Sequence, residues 1–196
     1  MIHIRHNVSY QIKMASIPLS NPMAIDARSK KSQQKLYQAL RHYYGRNIDF
    51  NKITVKASCE QANVSRATFY RHHQDLRDIL TVQFIIVISE LEARVDQLTF
   101  LDFETGSQEL VNIIDANFDL IRLMNWSQSR PRIEPVISGA ALRILILRDY
   151  PEPNRTFVAT FLGATILQFA QQVVQAPEPL SKAAILKLYR KLIPDL

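Results

Sequence analysis

Residues 53–80 read ITVKASCEQANVSRATFYRHHQDLRDIL, and the rest of the chain is interpreted outward from them. The spacing of their apolar side chains predicts a short helix over 55–61, a tight turn at Ala62-Asn63-Val64, and a second short helix over 66–72. A longer helix then begins behind Asp75. Thr54 and Ser65 stand just ahead of the two short helices, where a hydroxyl accepts from a backbone N–H one turn in. Asn63 falls where the chain must reverse, and Asn tolerates the left-handed conformation better than most residues. Val55, Cys59, Ala62, Val64 and Phe69 form a small apolar wedge that lets the two helices cross closely. With these turned inward, Arg66, Ala67, Thr68, Tyr70 and Arg71 are left on the outer face. Two short helices joined by such a turn are a helix-turn-helix, whose second helix can lie in a DNA major groove.

The run Val64-Ser65-Arg66-Ala67-Thr68-Phe69-Tyr70-Arg71-His72, with Ile53-Thr54-Val55 ahead and Asp78-Ile79-Leu80 behind, resembles the DNA-binding segment of the tetracycline-repressor (TetR/AcrR) family. The motif extends from near Lys30 to Leu80; the C-terminal remainder fits that family only in being helical and of suitable length. Three positions depart from the family pattern. Asn63 stands where Gly is usual, His73 where a core Phe is usual, and Leu76 where a phosphate-contacting Lys is common. The resemblance implies a one-component regulator that dimerises through its final long helices. It also implies that the long helix after the motif transmits a ligand signal by tilting the two DNA-binding heads.

Composition supports an all-α fold. Of 196 residues 47% are apolar, enough for a buried core, while only 4 are Gly and no period-two alternation is sustained. The lone cysteine, Cys59, excludes an internal disulfide and suits a reducing compartment. No apolar run is read as approaching the roughly 18 residues that span a bilayer, and no signal-peptide core opens the chain, so the protein is expected in the cytoplasm with no membrane partner. The net charge of +6 is unevenly placed. Residues 24–80 hold 11 Lys+Arg against 5 Asp+Glu, whereas residues 81–196 hold 11 against 13. Positive charge concentrated on the helix-turn-helix part is the footprint of a polyanionic partner.

Three segments are expected. Residues 1–27, broken by Pro18 and Pro22, read as a disordered N-terminal arm; Met23 would serve as an alternative start, which makes the upstream part an accessory arm or an over-long gene call. Residues 28–75 form a helix-turn-helix DNA-binding domain whose first helix runs over 29–44, with Leu36 and Leu40 inward and Gly45 as its stop. Residues 76–196 form a helical bundle for ligand binding and dimerisation. Within it, helices are predicted over 76–98, 107–124, 136–147, 156–175 and 181–192, with 126–135 a loop and Asn154 capping the fourth. Small residues Ala159, Gly163, Ala164 and Ala170 permit close helix approach, and the last two helices are expected to pair with those of a second copy.

Arg66 and Thr68 are the candidates for reading base edges, since Arg pairs with guanine through two bonds. Ser65, Tyr70, Arg71 and His72 suit phosphate contacts that set register, Thr54 offers its N–H or hydroxyl to a phosphate, and Lys56 can reach either. Lys30, Lys31 and Lys52 serve equally as phosphate contacts or solvated helix ends. An effector pocket would be lined by Phe84, Ile88, Phe118, Trp126 and Phe161, each of which is as readily a core residue. Arg122 or Arg143 would meet an acidic ligand or pair with Asp115, Asp119 or Glu134.

Adjacent His72 and His73 point about 100° apart on a helix and have no complement of metal ligands one turn away, and Cys59 falls on an inward face as a small hydrophobe. No phosphate loop, zinc-protease signature or nucleophile elbow occurs, so neither an enzyme nor a cofactor is expected. The reading is a transcriptional repressor that binds double-stranded operator DNA as a homodimer and is released by a small-molecule effector. The competing readings are an activator, and a helical interaction protein of the same fold that has lost DNA binding.

Overall fold

The computed structural model describes residues 27–98, 102–147 and 149–193, so the expected arm at 1–27 lies, but for its last residue, outside the described residues. The described residues are all-helical, with no strand among them. Among the described residues nine α-helices follow one another: α1 (Ala27–Gly45), α2 (Val55–Ala62), α3 (Arg66–His72), α4 (Leu76–Asp96), α5 (Phe103–Ala116), α6 (Phe118–Ser127), α7 (Arg130–Leu147), α8 (Glu152–Gln175) and α9 (Lys182–Leu192). A single 3-10 turn, Phe50–Lys52, lies between α1 and α2, with the Asp49 side chain accepting from the Asn51 N–H.

Local chemistry sets the first boundaries. α1 ends at Gly45, but the residue that reverses the chain is Asn47, at φ 55°. Thr54 and Ser65 cap α2 and α3 by accepting from the Ala57 and Thr68 N–H groups at 3.1 and 3.0 Å. Asn63 ends α2 in the left-handed conformation, φ 49° and ψ 53°, the geometry for which Asn substitutes for Gly. Asp75 caps α4 through the Arg77 N–H.

Further along, four expectations are corrected. The helix expected over 107–124 is two helices, α5 and α6, divided at Asn117, whose Nδ2 takes the Ile113 carbonyl and draws the chain out of register. α5 also starts earlier, at Phe103, behind a reciprocal cap between Asp102 and Thr105. The loop expected over 126–135 shrinks to Gln128 and Ser129, with Gln128 left-handed at φ 56°. α7 then begins at Arg130 and contains both prolines. Pro131 sits in the first turn, where its missing N–H is not needed; Pro135 removes one helical bond on a face that is exposed to solvent. α8 begins at Glu152 behind Pro151, so Asn154 lies inside its first turn and is not its cap.

The main apolar core runs from Leu36 and Leu40 of α1, through Ile79, Leu80 and Val87 of α4, to Leu123, Ile133, Leu167 and Ile185, and a smaller cluster of Ala141, Leu145 and Ala159 lies between α7 and α8. α4 touches α1 at its start and α5, α6 and α7 along its length, which explains why its apolar residues are spread round every face. α7 and α8 form the most extensive helix pair. There two small residues are spent internally: a Cβ on Gly163 would lie 2.7 Å from the Ser138 backbone, and Ala159 is buried against Ala141 and Leu145, while Ala170 is buried in the main core. Ala164, the fourth of these small residues, is half-buried and lines the open groove between α8 and α9. By length and composition α8 is apolar enough to cross a membrane, with mean hydropathy 1.5 over 18 residues of which 33% are buried, so the expectation that no run qualifies fails. Its packing against α6 and α7 on one side, with Gln168, Gln172 and Gln175 exposed on the other, is that of a bundle helix.

Candidate nucleic-acid interface and its connections

The exposed surface of α3 is built by what lies beneath it. Phe69 is fully buried and holds the helix down, with Cys59 and Ala62 of α2 buried alongside and Val55 and Val64 half-buried. Burial pushes the Cys59 thiol up, which suits the inert packing role and not a reactive one. The Tyr43 hydroxyl of α1 donates to the Ala57 carbonyl at 3.0 Å and fixes α2 from behind.

Arg66, Ala67, Tyr70 and Arg71 are exposed, as the spacing predicts, and so is His72. Among the described residues no ion pair engages Arg66 or Arg71, and the Arg66 guanidinium lies over the Tyr70 ring at 5.9 Å from its centroid. Thr68 is half-buried, and its hydroxyl lies 2.9 Å from that of Ser65, so the cap engages both candidates. Lys56 is exposed and pairs with Glu60 at 3.9 Å one turn on, a weak surface contact that a phosphate can displace. Thr54, Lys30, Lys31 and Lys52 are exposed. The candidate residues other than Thr68 are thus exposed, and Thr68 and Lys56 are the most engaged with their own chain.

Two of the departures from the family pattern turn inward. Leu76 is buried. His73, which ends α3, is 5% exposed with its ring tilted against Phe69 at 5.3 Å, and its Nδ1 has no hydrogen-bond partner. Burial holds its pKa below the ordinary 6.5, against the nearby Asp78 carboxylate, with His72 adding to the depression.

Behind this surface the corner between α6 and α7 grips the start of α4. Arg132 reaches both oxygens of Asp75, at 2.9 and 2.6 Å, and Asp78 at 2.8 Å. Burial acts to raise the Asp75 carboxyl, but bonds from Arg132 and the Arg77 N–H outweigh it and hold the carboxyl below its usual range. Arg77 donates to the Ser127 carbonyl at 2.9 Å and lies over the Phe50 ring. Trp126 donates through Nε1 to the Ile48 carbonyl at 3.0 Å and meets Tyr44 and Phe50 edge-on. Arg41 of α1 pairs with Asp119 of α6. These links, absent from the sequence-based site, join partners about 50 to 80 residues apart, so no local pattern signals them.

A cavity of about 210 Å³ lies in the bundle, lined among others by Phe84, Ile88, Leu110, Ile144 and Tyr189. Of the five expected pocket residues, only Phe84 and Ile88 line it. Trp126 is instead the joint just described; Phe118 lies under the Arg122 guanidinium; Phe161 is 56% exposed in an open groove with Leu188 and Leu192. Arg122 pairs with Asp119, one of its expected partners, whereas Arg143 pairs with the buried Glu92 of α4, which the sequence reading overlooked. Neither arginine lines the cavity.

No protein-family model matches the chain, and no curated protein matches it. Among solved structures, the crystal structure of Lin0861 from Listeria innocua is similar, with 29% sequence identity and a TM-score of 0.83 over 90% of this chain and 97% of that one. The likeness supports the same all-helical fold across nearly the full length.

Proposed function

We propose that the chain is a one-component transcriptional regulator of the tetracycline-repressor type, cytoplasmic and homodimeric, in which α3 enters the major groove of operator DNA and the bundle cavity holds a small effector. The observation that carries the reading is the exposed face of α3. It is short, capped at Ser65 and pinned by the buried Phe69, and it presents Arg66 and Arg71 without ion pairs on the half of the molecule where positive charge is concentrated. α4, which lines the cavity from Phe84 to Val95, is separated from α3 by three residues, and its start is bonded to the α6–α7 corner, so a ligand that repacks the cavity can bias the position of α3 through α4. Repression is the sign favoured here, with release on effector binding.

The variant in which the fold has lost DNA binding leans on His73 and Leu76. Both are buried, so the exposed face of α3 itself keeps its arginines, and what Leu76 removes is one phosphate contact at the start of α4. The test is binding of the purified protein to its own upstream DNA at several salt concentrations, beside an unrelated duplex of equal length. Discriminating binding with a log–log salt slope of several units is the expected result. Equal and weak binding to both duplexes, followed by failure to enrich any fragment from genomic DNA, would remove the proposal.

A further inference from the structure

The cavity's own walls say what it can hold. Its lining is overwhelmingly apolar, from Phe84 and Ile88 on α4 to Ile144 on α7. The polar groups that reach it are largely spoken for. Asp102 caps α5, its carboxylate accepting from the Thr105 N–H at 2.7 Å and hydroxyl at 2.8 Å. Ser107 donates to the Glu104 carbonyl and accepts from Arg190 Nε, at 2.9 and 2.8 Å. Asn117 Nδ2 is engaged with the Ile113 carbonyl. Glu92, buried on α4 between lining residues Leu91 and Val95, is turned to Arg143 and does not line the space.

Tyr189 differs. It is 6% exposed and held between the Phe103 and Phe169 rings, yet its hydroxyl has no hydrogen-bond partner among the described residues. Burial pushes this phenol up to about 12, so it remains a protonated donor at any physiological pH.

We infer that the cavity takes a small, uncharged, mainly apolar ligand of roughly 10 non-hydrogen atoms that accepts one hydrogen bond from Tyr189, a size set between the cavity of about 150 Å³ that admits benzene and the larger pockets of drug-sized ligands. Among the described residues no Lys or Arg lines the cavity, and Arg190, bonded to the lining Ser107, is committed to Glu104, so a buried carboxylate on the ligand would be left facing Asp102; an ammonium would find only a carboxylate already committed to its cap. This assignment deepens the effector reading, and it rests on that reading only for its consequence at DNA.

The test uses the full chain without DNA and four probes of one shape: naphthalene, 2-naphthol, 2-naphthoate and 2-naphthylmethylammonium, titrated calorimetrically. One 2-naphthol per chain is expected, with both charged analogues weaker by about tenfold or more. Tyr189→Phe should weaken 2-naphthol about fivefold and leave naphthalene within about twofold. Leu110→Trp and Ile144→Trp, each filling the cavity from a different helix, should abolish binding of both while circular dichroism reports an intact fold. Naphthoate binding as tightly as naphthol, no binding by either neutral probe, or naphthol binding unchanged in whichever filled variant folds would each overturn the assignment. A chain that binds operator DNA but none of the probes refutes the ligand alone; one that binds naphthol but no DNA refutes the regulator alone.

Discussion

His73 packs an imidazole where the surrounding side chains offer its Nδ1 nothing to bond. A buried polar atom without a partner costs about 1–3 kcal/mol, so His73→Phe should raise stability by about 1 kcal/mol at pH 7.5 if the larger ring fits against Phe69. The pH dependence has a definite sign. Because the folded-state pKa is depressed below 6.5, the unfolded chain takes up the proton first; stability is intact above that value and is lost as pH falls beneath it. Urea unfolding at pH 7.5 and 5.5 should therefore show the wild type losing up to about 1.4 kcal/mol per pH unit relative to His73→Phe. A constant difference between the two proteins would mean that His73 does not titrate apart from the unfolded value. On the outer face of the same helix the two roles separate by chemistry. Arg66→Ala should relax preference at one operator position, at about 1–3 kcal/mol, while Tyr70→Phe should weaken all sequences alike. Binding profiles over randomised operators distinguish these, and interchanged effects would exchange the two assignments.

At the scale of elements, α7 and α8 lie so close that Gly163 has no room for a side chain: an added Cβ would sit 2.3 Å from the Ser138 Oγ and 2.7 Å from its Cα and N. Gly163→Ala should cost about 1–3 kcal/mol or more through forced helix separation, and Ser138→Gly should fail to rescue it because the clash is with backbone as well as hydroxyl. Thermal melts of the single and double variants decide this; full rescue would assign the clash to the hydroxyl alone. The elements that sequence reading located best are those whose ends are fixed within three residues. Thr54, Ser65 and Asp75 cap the helices that follow them, and Asn63 makes its own turn. Those it misread have ends fixed by competition. Asn117 takes a carbonyl one turn back and divides an apolar pattern that runs on through it, and Pro131 and Pro135 read as breakers although the first turn and a solvent-facing side accommodate them. The exposed face of α3 was legible because it is what a short helix leaves outside its apolar wedge. The cavity was not, since its lining is drawn from six helices, α4 to α9, with no shared period, and Trp126 reads as a pocket aromatic until its indole N–H is seen bonded to Ile48.

For the whole molecule, what the proposal requires is a second copy. One short recognition helix seldom binds tightly enough, whereas two, set a helical turn or so apart by a twofold axis, contact two half-sites. With Gly163 and Ala159 packed against α7, the surface left for pairing is the larger apolar set on α8 and α9: Phe157 at 75% exposed, Phe161 at 56%, Leu188 at 37% and Leu192 at 62%. Exposed aromatics and leucines on adjacent helices, with Gln168 and Gln172 beside them, are the make-up of an interface core with a polar rim. Replacing Phe161 and Leu192 together by Glu leaves the buried core untouched and should yield a folded monomer by sedimentation equilibrium. Because each protomer would then meet DNA alone, the number of phosphates neutralised should halve, and the log–log salt slope should fall to about half its wild-type value along with the affinity. A dimer that survives the double substitution would move pairing to another face. A monomer with an unchanged slope would separate dimerisation from DNA binding and leave each head acting on its own.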